Sequence, residues 1–107
     1  MEQVTSANFS TVVERSDRPV LLEFSAPWCG YCRRLEPLLL RLEEGAGQSL
    51  VFAQVNTDLS PELAEAYQVE TLPTLRLVRS GRAGRPLVAP QSAAVIRDWA
   101  REQGVAL

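Results

Sequence analysis

The feature that most constrains this sequence is an apolar strand that leads directly into a helix opening on two cysteines. Val20 to Phe24 form a short, nearly continuous apolar run bounded by turn residues, which is typical of a central strand covered on both faces. After the Ala26-Pro27 corner, Cys29 and Cys32 stand three positions apart where the helical pattern starts. This spacing puts both sulfurs on one helix face, with Cβ atoms about 5–6 Å apart, so a disulfide needs only modest adjustment.

The cysteine pair fits a redox-active couple, a static bridge or half of a metal site. A bridge here closes a loop of four residues, for which chain entropy gives about 2 kcal/mol, against about 4.7 kcal/mol for a loop of about 100 residues. Structural zinc takes four cysteine or histidine ligands. The chain has two cysteines and no histidine, so a zinc site would have to form between molecules. The residues alone favour the redox couple and leave the other two interpretations open.

Length and charge limit the remaining possibilities. A chain of 107 residues is expected to form one domain over residues 1–107, with a core that needs no metal. A net charge of −2 gives no basic field for nucleic acid or an anionic membrane, and neither partner is expected. Because no apolar run approaches a membrane span and the N-terminus lacks a leader pattern, we expect a cytoplasmic protein. We also expect it to be a monomer.

Strand and helix patterns alternate along the chain and predict an α/β fold. Strands joined through helices make right-handed crossovers, so the first strands should form a parallel core with helices on both faces. Two later strands, joined by a loop containing glycines, predict an antiparallel hairpin. The predicted strands are Val20 to Phe24, Leu50 to Asn56, Thr74 to Arg79 and Leu87-Val88.

Four helices are predicted from apolar stripes at helical spacing. Asn8 and Ser60 are predicted N-caps, because their side chains can accept a hydrogen bond from a free helical amide. Pro37 should kink the second helix. The predicted helices cover Asn8 to Arg15, the segment from near Cys29 to the stop at Gly45 and Gly47, a segment opening at Ser60 with Tyr67 in its inner stripe, and Ser92 to Gln103.

The whole chain resembles the thioredoxin family. Its segment Trp28-Cys29-Gly30-Tyr31-Cys32 matches the family's Trp-Cys-Gly-x-Cys active site, placed after a strand and at a helix start. Glu23 to Pro27 are similar to the catalytic domains of protein disulfide isomerases. Pro37 matches the family's helix-kinking proline, and Leu72-Pro73-Thr74 matches its cis-proline loop. The resemblance implies a thioredoxin fold, with a mixed central sheet of four to five strands flanked by four helices.

The same resemblance implies a thiol-disulfide oxidoreductase that acts on protein disulfides, foremost a general reductase. Cys29, at the exposed end, would attack as a thiolate whose pKa the helix N-terminus lowers, and Cys32 would resolve the mixed disulfide. Glu23 occupies the place of the family's buried carboxylate and would carry the proton of Cys32. Expected partners are substrate proteins with disulfides and a thioredoxin reductase or other dithiol donor, with no cofactor or metal. The alternatives are an isomerase or oxidase, and a binding module or chaperone with little turnover.

Four residues around the cysteines are expected to contact substrate: Trp28, Tyr31, Leu72 and Pro73. Trp28 would cover the sulfurs and offer an apolar docking surface, with plain core packing as the alternative. Leu72-Pro73 should be a cis peptide bond that shapes the substrate groove. Tyr31 replaces the proline of typical thioredoxins, and its amide should donate to the Cys29 sulfur and make the couple more oxidising. The competing expectation is that Tyr31 only touches substrate.

Three further positions depart from the family pattern. Gln54 stands where thioredoxins usually place a lysine near the buried acid. Gln68 stands where they often have a helix-ending glycine, and Ala89 where they have a glycine in the substrate groove. Because Gln54 is neutral, the tuning of the buried acid need not follow that of typical members.

Overall fold

The structure, a computed structural model that describes residues 1–107, is a mixed sheet with helices on both faces. Its strands are β1 (Glu2–Val4), β2 (Val20–Ser25), β3 (Val51–Asn56), β4 (Thr74–Arg79), β5 (Arg82–Ala83) and β6 (Leu87–Val88). Its helices are a π-helix (Ser10–Glu14), α1 (Gly30–Ala46), α2 (Pro61–Ala66) and α3 (Ala93–Glu102). The predicted fold class, mixed sheet and four helices are confirmed. The strand count is six rather than four to five, because β1 and β5 were not expected.

Strand β2 lies in the middle of the sheet, where its apolar sequence predicts it. The strand order is β1-β3-β2-β4-β5, with β6 also paired to β4. Strand β2 runs parallel to β3 and antiparallel to β4, and all six of its residues are buried. The chain leaves this strand at Ser25, so the cysteines that follow emerge at the end of the most buried element.

Two apolar clusters fill the space between the sheet and its helices. On one face, α1 and α3 pack on alternate residues of β2, β3 and β4, and the largest members of this cluster are Leu21, Leu39, Phe52, Leu75, Ile96 and Trp99. On the other face, the π-helix and α2 pack on the remaining residues, including Val13, Leu22, Phe24, Val55 and Leu63. The period of two along β3 is confirmed, because Phe52 belongs to the first cluster and Val55 to the second.

Strand β1 is an element that the sequence pattern does not predict. It is three residues long, and Val4 is its one buried residue, which is too little for an alternating pattern. The strand forms because the parallel edge of β3 accepts it, with Gln3 opposite Gln54 and Val4 opposite Val55. Its stability therefore comes from tertiary pairing.

Neither of the predicted N-caps, Asn8 and Ser60, makes a side-chain capping hydrogen bond to its helix. The side chain of Asn8 accepts a hydrogen bond from the Thr5 amide at 2.8 Å and donates to the Gln3 carbonyl at 3.0 Å. It therefore stabilises the turn before the helix, which is a short π-helix instead of the predicted Asn8–Arg15 segment. Ser60 does occupy the N-cap position of α2, but its side chain makes no capping hydrogen bond.

Helix α1 follows the prediction except at its C-terminal end. Pro37 lies inside the helix, as predicted, and the buried stripe contains Leu35, Leu39 and Leu42. Gly45 was expected to help end the helix but is part of its last turn. The helix ends one residue later, and Gly47, with φ of 60°, turns the chain away. A left-handed conformation of this kind is where glycine is favoured.

The chain leaves α2 through a left-handed residue that is not glycine. Gln68 has φ of 57°, its amide donates to Glu65, and the Val69 amide donates to Ala64 at 2.9 Å. This pair of bonds is the Schellman motif. The same pair follows α3, where the left-handed residue is Gly104 with φ of 81°. The fold therefore keeps the helix ending at Gln68 without the glycine that the family often has there.

We expect Gln68→Gly to raise the free energy of unfolding by about 0.5–1 kcal/mol. The left-handed conformation costs a side-chain-bearing residue about 1–2 kcal/mol, and glycine avoids this cost. The greater freedom of glycine in the unfolded chain reduces the resulting gain in stability by about 0.4–1 kcal/mol. Urea unfolding followed by circular dichroism measures the change.

Gln48→Gly is the matched control, because exposed Gln48 does not have a positive φ. Only the unfolded-state effect acts there, so this variant should be destabilised by about 0.4–1 kcal/mol. A loss of stability in Gln68→Gly as large as that in Gln48→Gly would contradict the assignment of strain to Gln68.

Candidate active site

Cys29 and Cys32 form a disulfide at the N-terminus of α1. Cys29 is the N-cap residue, and its Sγ accepts a hydrogen bond from the Cys32 amide at 3.1 Å. The two Cα atoms are 5.2 Å apart, within the usual range for a disulfide. The first turn of the helix therefore holds both sulfurs and directs an amide at the outer one, so the positive end of the helix dipole would stabilise a thiolate there.

Both cysteines are largely covered in this disulfide form. Cys29 is 7% exposed and Cys32 is 3% exposed, so the expectation that Cys29 is exposed is wrong for this state. The sulfur-bearing residues pack with Ala26, and the partly buried Tyr31 and Leu72 close over them. Cys29 remains the more accessible of the two, although the difference is small.

Trp28 projects from the surface next to the cysteines. Its side chain is 67% exposed, which excludes the alternative that it packs in the core. The indole Nε1–H donates to the Asp58 carboxylate at 3.1 Å. This bond fixes the orientation of the ring and leaves its apolar surface available to another molecule.

Glu23 lies fully buried in the centre of β2. Its Oε1 accepts a hydrogen bond from Gln54 Nε2 at 2.8 Å, while Oε2 has no hydrogen-bond partner. Burial raises the pKa of Glu23 from 4.5 to about 7; the Gln54 hydrogen bond opposes this rise and the charge of Glu36 adds to it. The predicted burial and raised pKa of this acid are confirmed.

The amide of Gln54 is held in one orientation by a residue that the sequence analysis missed. Gln3 on β1 donates from Nε2 to Gln54 Oε1 at 3.0 Å, so the amide nitrogen of Gln54 faces Glu23. A neutral amide dipole stabilises a carboxylate less than the full charge of a lysine would. Nothing in the local pattern around Gln3 indicates this contact, because β1 itself is not predicted.

An open cleft lies between Cys32, the inner cysteine, and Gln54, the residue that binds Glu23. It has a volume of about 140 Å³ and is lined by, among others, Cys32, Glu36, Gln54 and Asn56. This is ample room for water, whose share of liquid volume is about 30 Å³. Glu23 does not line the cleft itself but is bonded to Gln54, which does.

The segment that contains Pro73 provides the second wall of the site. The Leu72–Pro73 peptide bond is cis, which confirms the prediction. The Leu72 side chain packs against the cysteine cluster, while its backbone N–H and C=O have no partner within the chain. These two groups are free to pair with the backbone of another chain in an extended conformation.

Tyr31 joins the active-site helix to the Ala89–Pro90 segment. Its hydroxyl lies 3.0 Å from the Ala89 carbonyl oxygen and 3.1 Å from that of Pro90. The expected hydrogen bond from the Tyr31 backbone amide to the Cys29 sulfur is absent in this disulfide form, where the Cys32 amide alone donates. Tyr31 therefore contacts the Ala89–Pro90 segment through its hydroxyl, and its backbone amide makes no hydrogen bond to the sulfur.

The sequence matches a known family over nearly its full length. A profile described as Thioredoxin covers residues 1–102. A thioredoxin of Mycobacterium tuberculosis is 37% identical over 97 residues, which is 90% of this chain and 84% of the relative. A thioredoxin of Porphyra purpurea is 40% identical over 81 residues, or 76% of each chain. The resemblance identified from the motif is thus confirmed.

One relative joins this kind of domain to a second activity. A bifunctional thioredoxin reductase/thioredoxin of Mycobacterium leprae is 36% identical over 97 residues. The match covers 90% of this chain but only 21% of that protein. In that relative, a domain similar to this chain is therefore covalently linked to a larger remainder.

We expect the stability of the disulfide form to fall as pH rises from about 5 to 7. Glu23 keeps its proton in the folded state up to a pKa of about 7, whereas in the unfolded chain the pKa is near 4.5. Between these values the folded state binds more protons, so the free energy of unfolding falls with a slope of at most about 1.4 kcal/mol per pH unit. Denaturant unfolding at a series of pH values measures this slope.

Glu23→Gln should remove most of this slope and be more stable than the original protein at pH 8. Exposed Glu44 provides the matched control, because Glu44→Gln leaves the buried carboxyl in place and should keep the slope. The chain contains no histidine, a residue whose ordinary pKa would add a slope in this window. Identical slopes in the Glu23→Gln and Glu44→Gln proteins would contradict a raised pKa at Glu23.

Proposed function

Because this chain belongs to the thioredoxin family, we propose that its Cys29–Cys32 couple reduces disulfides of a broad set of substrate proteins. The chain is a thiol-disulfide oxidoreductase of the protein-disulfide reductase type. The observation that carries the proposal is the disulfide at the N-terminus of α1, with an amide directed at the outer sulfur. This geometry favours a thiolate at Cys29 in the reduced protein.

Cys29 makes the first attack on the substrate. Its thiolate forms a bond to one sulfur of the substrate disulfide, and the other substrate sulfur leaves as a thiolate. The Cys32 amide, 3.1 Å from Cys29 Sγ in the disulfide form, stabilises the attacking anion. Cys29 takes this role because it is the N-cap residue and the less covered of the two cysteines.

Cys32 then resolves the mixed disulfide. Its thiol loses a proton, and the resulting thiolate attacks Cys29 Sγ. The bond between Cys29 and the substrate sulfur breaks, that sulfur leaves as a thiolate, and the Cys29–Cys32 bond forms. Glu23 accepts this proton through water in the cleft that Cys32 and Gln54 line. A carboxyl group with a pKa of about 7 is well matched to this step, since a base works best when its pKa is near the working pH.

The substrate chain is held by residues on both sides of the disulfide. The unpaired backbone groups of Leu72 pair with the substrate backbone next to Pro73. The exposed ring of Trp28 supplies an apolar contact. Tyr31 contacts the substrate from the first turn of α1. These contacts are made to backbone and to apolar surface, which supports a broad range of substrate proteins.

Each cycle leaves the cysteines oxidised, so two electrons must come from a dithiol donor. A thioredoxin reductase is the donor that we propose, because the relative in Mycobacterium leprae carries both activities in one chain.

None of the helices combines the length and apolar composition needed to cross a membrane. We propose a cytoplasmic monomer in which residues 1–107 act as one domain, with neither nucleic acid nor membrane as a partner.

The function is tested by reduction of insulin with dithiothreitol as the electron donor. The protein should accelerate the reaction, and Cys29→Ser should reduce the rate to that of dithiothreitol alone, because no thiolate remains to make the first attack. Comparable rates for the original protein and Cys29→Ser would contradict the proposal. That result would favour a binding module with this fold.

The roles of the two cysteines are tested by trapping. Cys32→Ser should accumulate mixed disulfides with substrate proteins, because Cys29 still attacks but no thiol resolves the bond. Cys29→Ser should trap almost none. Non-reducing electrophoresis with mass spectrometry of the trapped species measures both variants. Equal trapping by the two variants would overturn the assignment.

A further inference from the structure

We propose that the Tyr31 hydroxyl is a positioning group for the substrate groove, which holds the Ala89–Pro90 segment against the active-site helix. The inference deepens the proposed function, since it concerns recognition of protein substrates by that same site.

The hydrogen bonds around Ala89 form a connected path across the groove. The Tyr31 hydroxyl is within 3.1 Å of the Ala89 and Pro90 carbonyl oxygens. No other group in the chain donates to either oxygen. The Ala89 amide donates to the Pro73 carbonyl at 2.8 Å. The segment is therefore tied on one side to the Pro73 wall and on the other to the first turn of α1.

The Ala89–Pro90 segment needs such restraint because its backbone is strained. Ala89 has φ of 47°, a left-handed conformation that costs an L-residue about 1–2 kcal/mol. Pro90 has no amide and cannot contribute a backbone donor. Loss of the tyrosine hydroxyl would leave Ala89 with one hydrogen bond to oppose relaxation to an ordinary conformation.

The Tyr31 ring is positioned independently of its hydroxyl. The Arg34 guanidinium lies 5.3 Å from the ring centroid, within the range of a cation–π contact. The ring also lines a surface cleft together with Leu35, Leu38 and Pro90. A phenylalanine at position 31 should therefore keep the ring in place, which separates the effect of the hydroxyl from the effect of the aromatic surface.

A fixed Ala89–Pro90 segment matters for substrates that occupy the groove. An extended substrate chain that pairs with Leu72 lies beside the Pro73 wall, to which Ala89 is bonded. If the segment is already ordered, the substrate does not have to order it on binding. A small disulfide reaches the sulfurs without filling the groove, so an ordered Ala89–Pro90 segment improves its binding much less.

The test compares Tyr31→Phe with the original protein on insulin and on a small aromatic disulfide. We expect the KM for insulin to rise about 2- to 10-fold, which corresponds to one neutral hydrogen bond, with a much smaller change in kcat. The rate with the small disulfide should fall less than kcat/KM for insulin. The reduction potential of the Cys29–Cys32 couple in Tyr31→Phe, measured against glutathione, should not change along with KM.

Tyr67→Phe is the matched control, because the Tyr67 ring packs against Phe9 and Phe24 on the other face of the sheet. It should leave the insulin KM unchanged. Equal insulin KM values for Tyr31→Phe and Tyr67→Phe would overturn the proposal, as would equal losses on insulin and the small disulfide.

Amide hydrogen exchange tests the positioning role without any substrate. In Tyr31→Phe the Ala89 amide should exchange about 2- to 10-fold faster, while amides in β2 keep their protection. Unchanged exchange at Ala89 would overturn the proposal. If the original protein failed to reduce insulin, the proposed function would be wrong, and the exchange rates would still decide whether the hydroxyl holds this segment.

Discussion

The structure depends on burying the whole of β2 although that strand carries a carboxyl group. Transferring a carboxylate from water into an apolar interior is strongly unfavourable, and Glu23 is fully buried. The protein meets this constraint by keeping the group protonated up to a pKa of about 7 and by directing a single amide at one of its oxygens. The burial of this acid follows from the central position of β2 between β3 and β4. The same acid is the group that we propose as the proton acceptor for the inner cysteine.

The elements and site residues that depend on neighbours in the sequence could be predicted. The apolar run of β2, the helical stripe of α1 and the Leu72-Pro73 bond are each readable within a few positions. Contacts between distant residues could not be predicted in this way. Gln3 meets Gln54 across 51 positions, and Tyr31 meets Ala89 across 58. Each pairing depends on which strands and loops are adjacent in the folded chain, and no local pattern encodes that.

The failed cap assignments have a related physical cause. The residue type at Asn8 was interpreted correctly as a side chain that seeks a backbone partner. Its partners in the folded turn are the Thr5 amide and the Gln3 carbonyl, which precede it in the chain. Propensity therefore indicated that a local hydrogen bond would form but did not indicate which neighbouring backbone group would take part.

The three departures from the family pattern show that a fold can keep a geometry after losing the residue that usually provides it. Gln68 and Ala89 have φ of 57° and 47° at positions where the family often has glycine. The helix-ending hydrogen bonds hold the first, and bonds from both walls of the groove hold the second. Gln54 replaces a charge with an oriented dipole. At Gln68 and Ala89, hydrogen bonds therefore hold a conformation that glycine would adopt without strain.

The borders of the sheet decide where a foreign extended chain can attach. Unpaired strand edges invite aggregation, and short strands with charged residues discourage it. Strand β1 has three residues and begins with Glu2, while β5 has two and begins with Arg82. The two borders thus offer little length for strand addition. The unpaired backbone of Leu72 lies instead beside the disulfide, so the place most receptive to an extended chain is next to the two cysteines. A molecule built this way should have little tendency to nucleate fibrils on its own sheet.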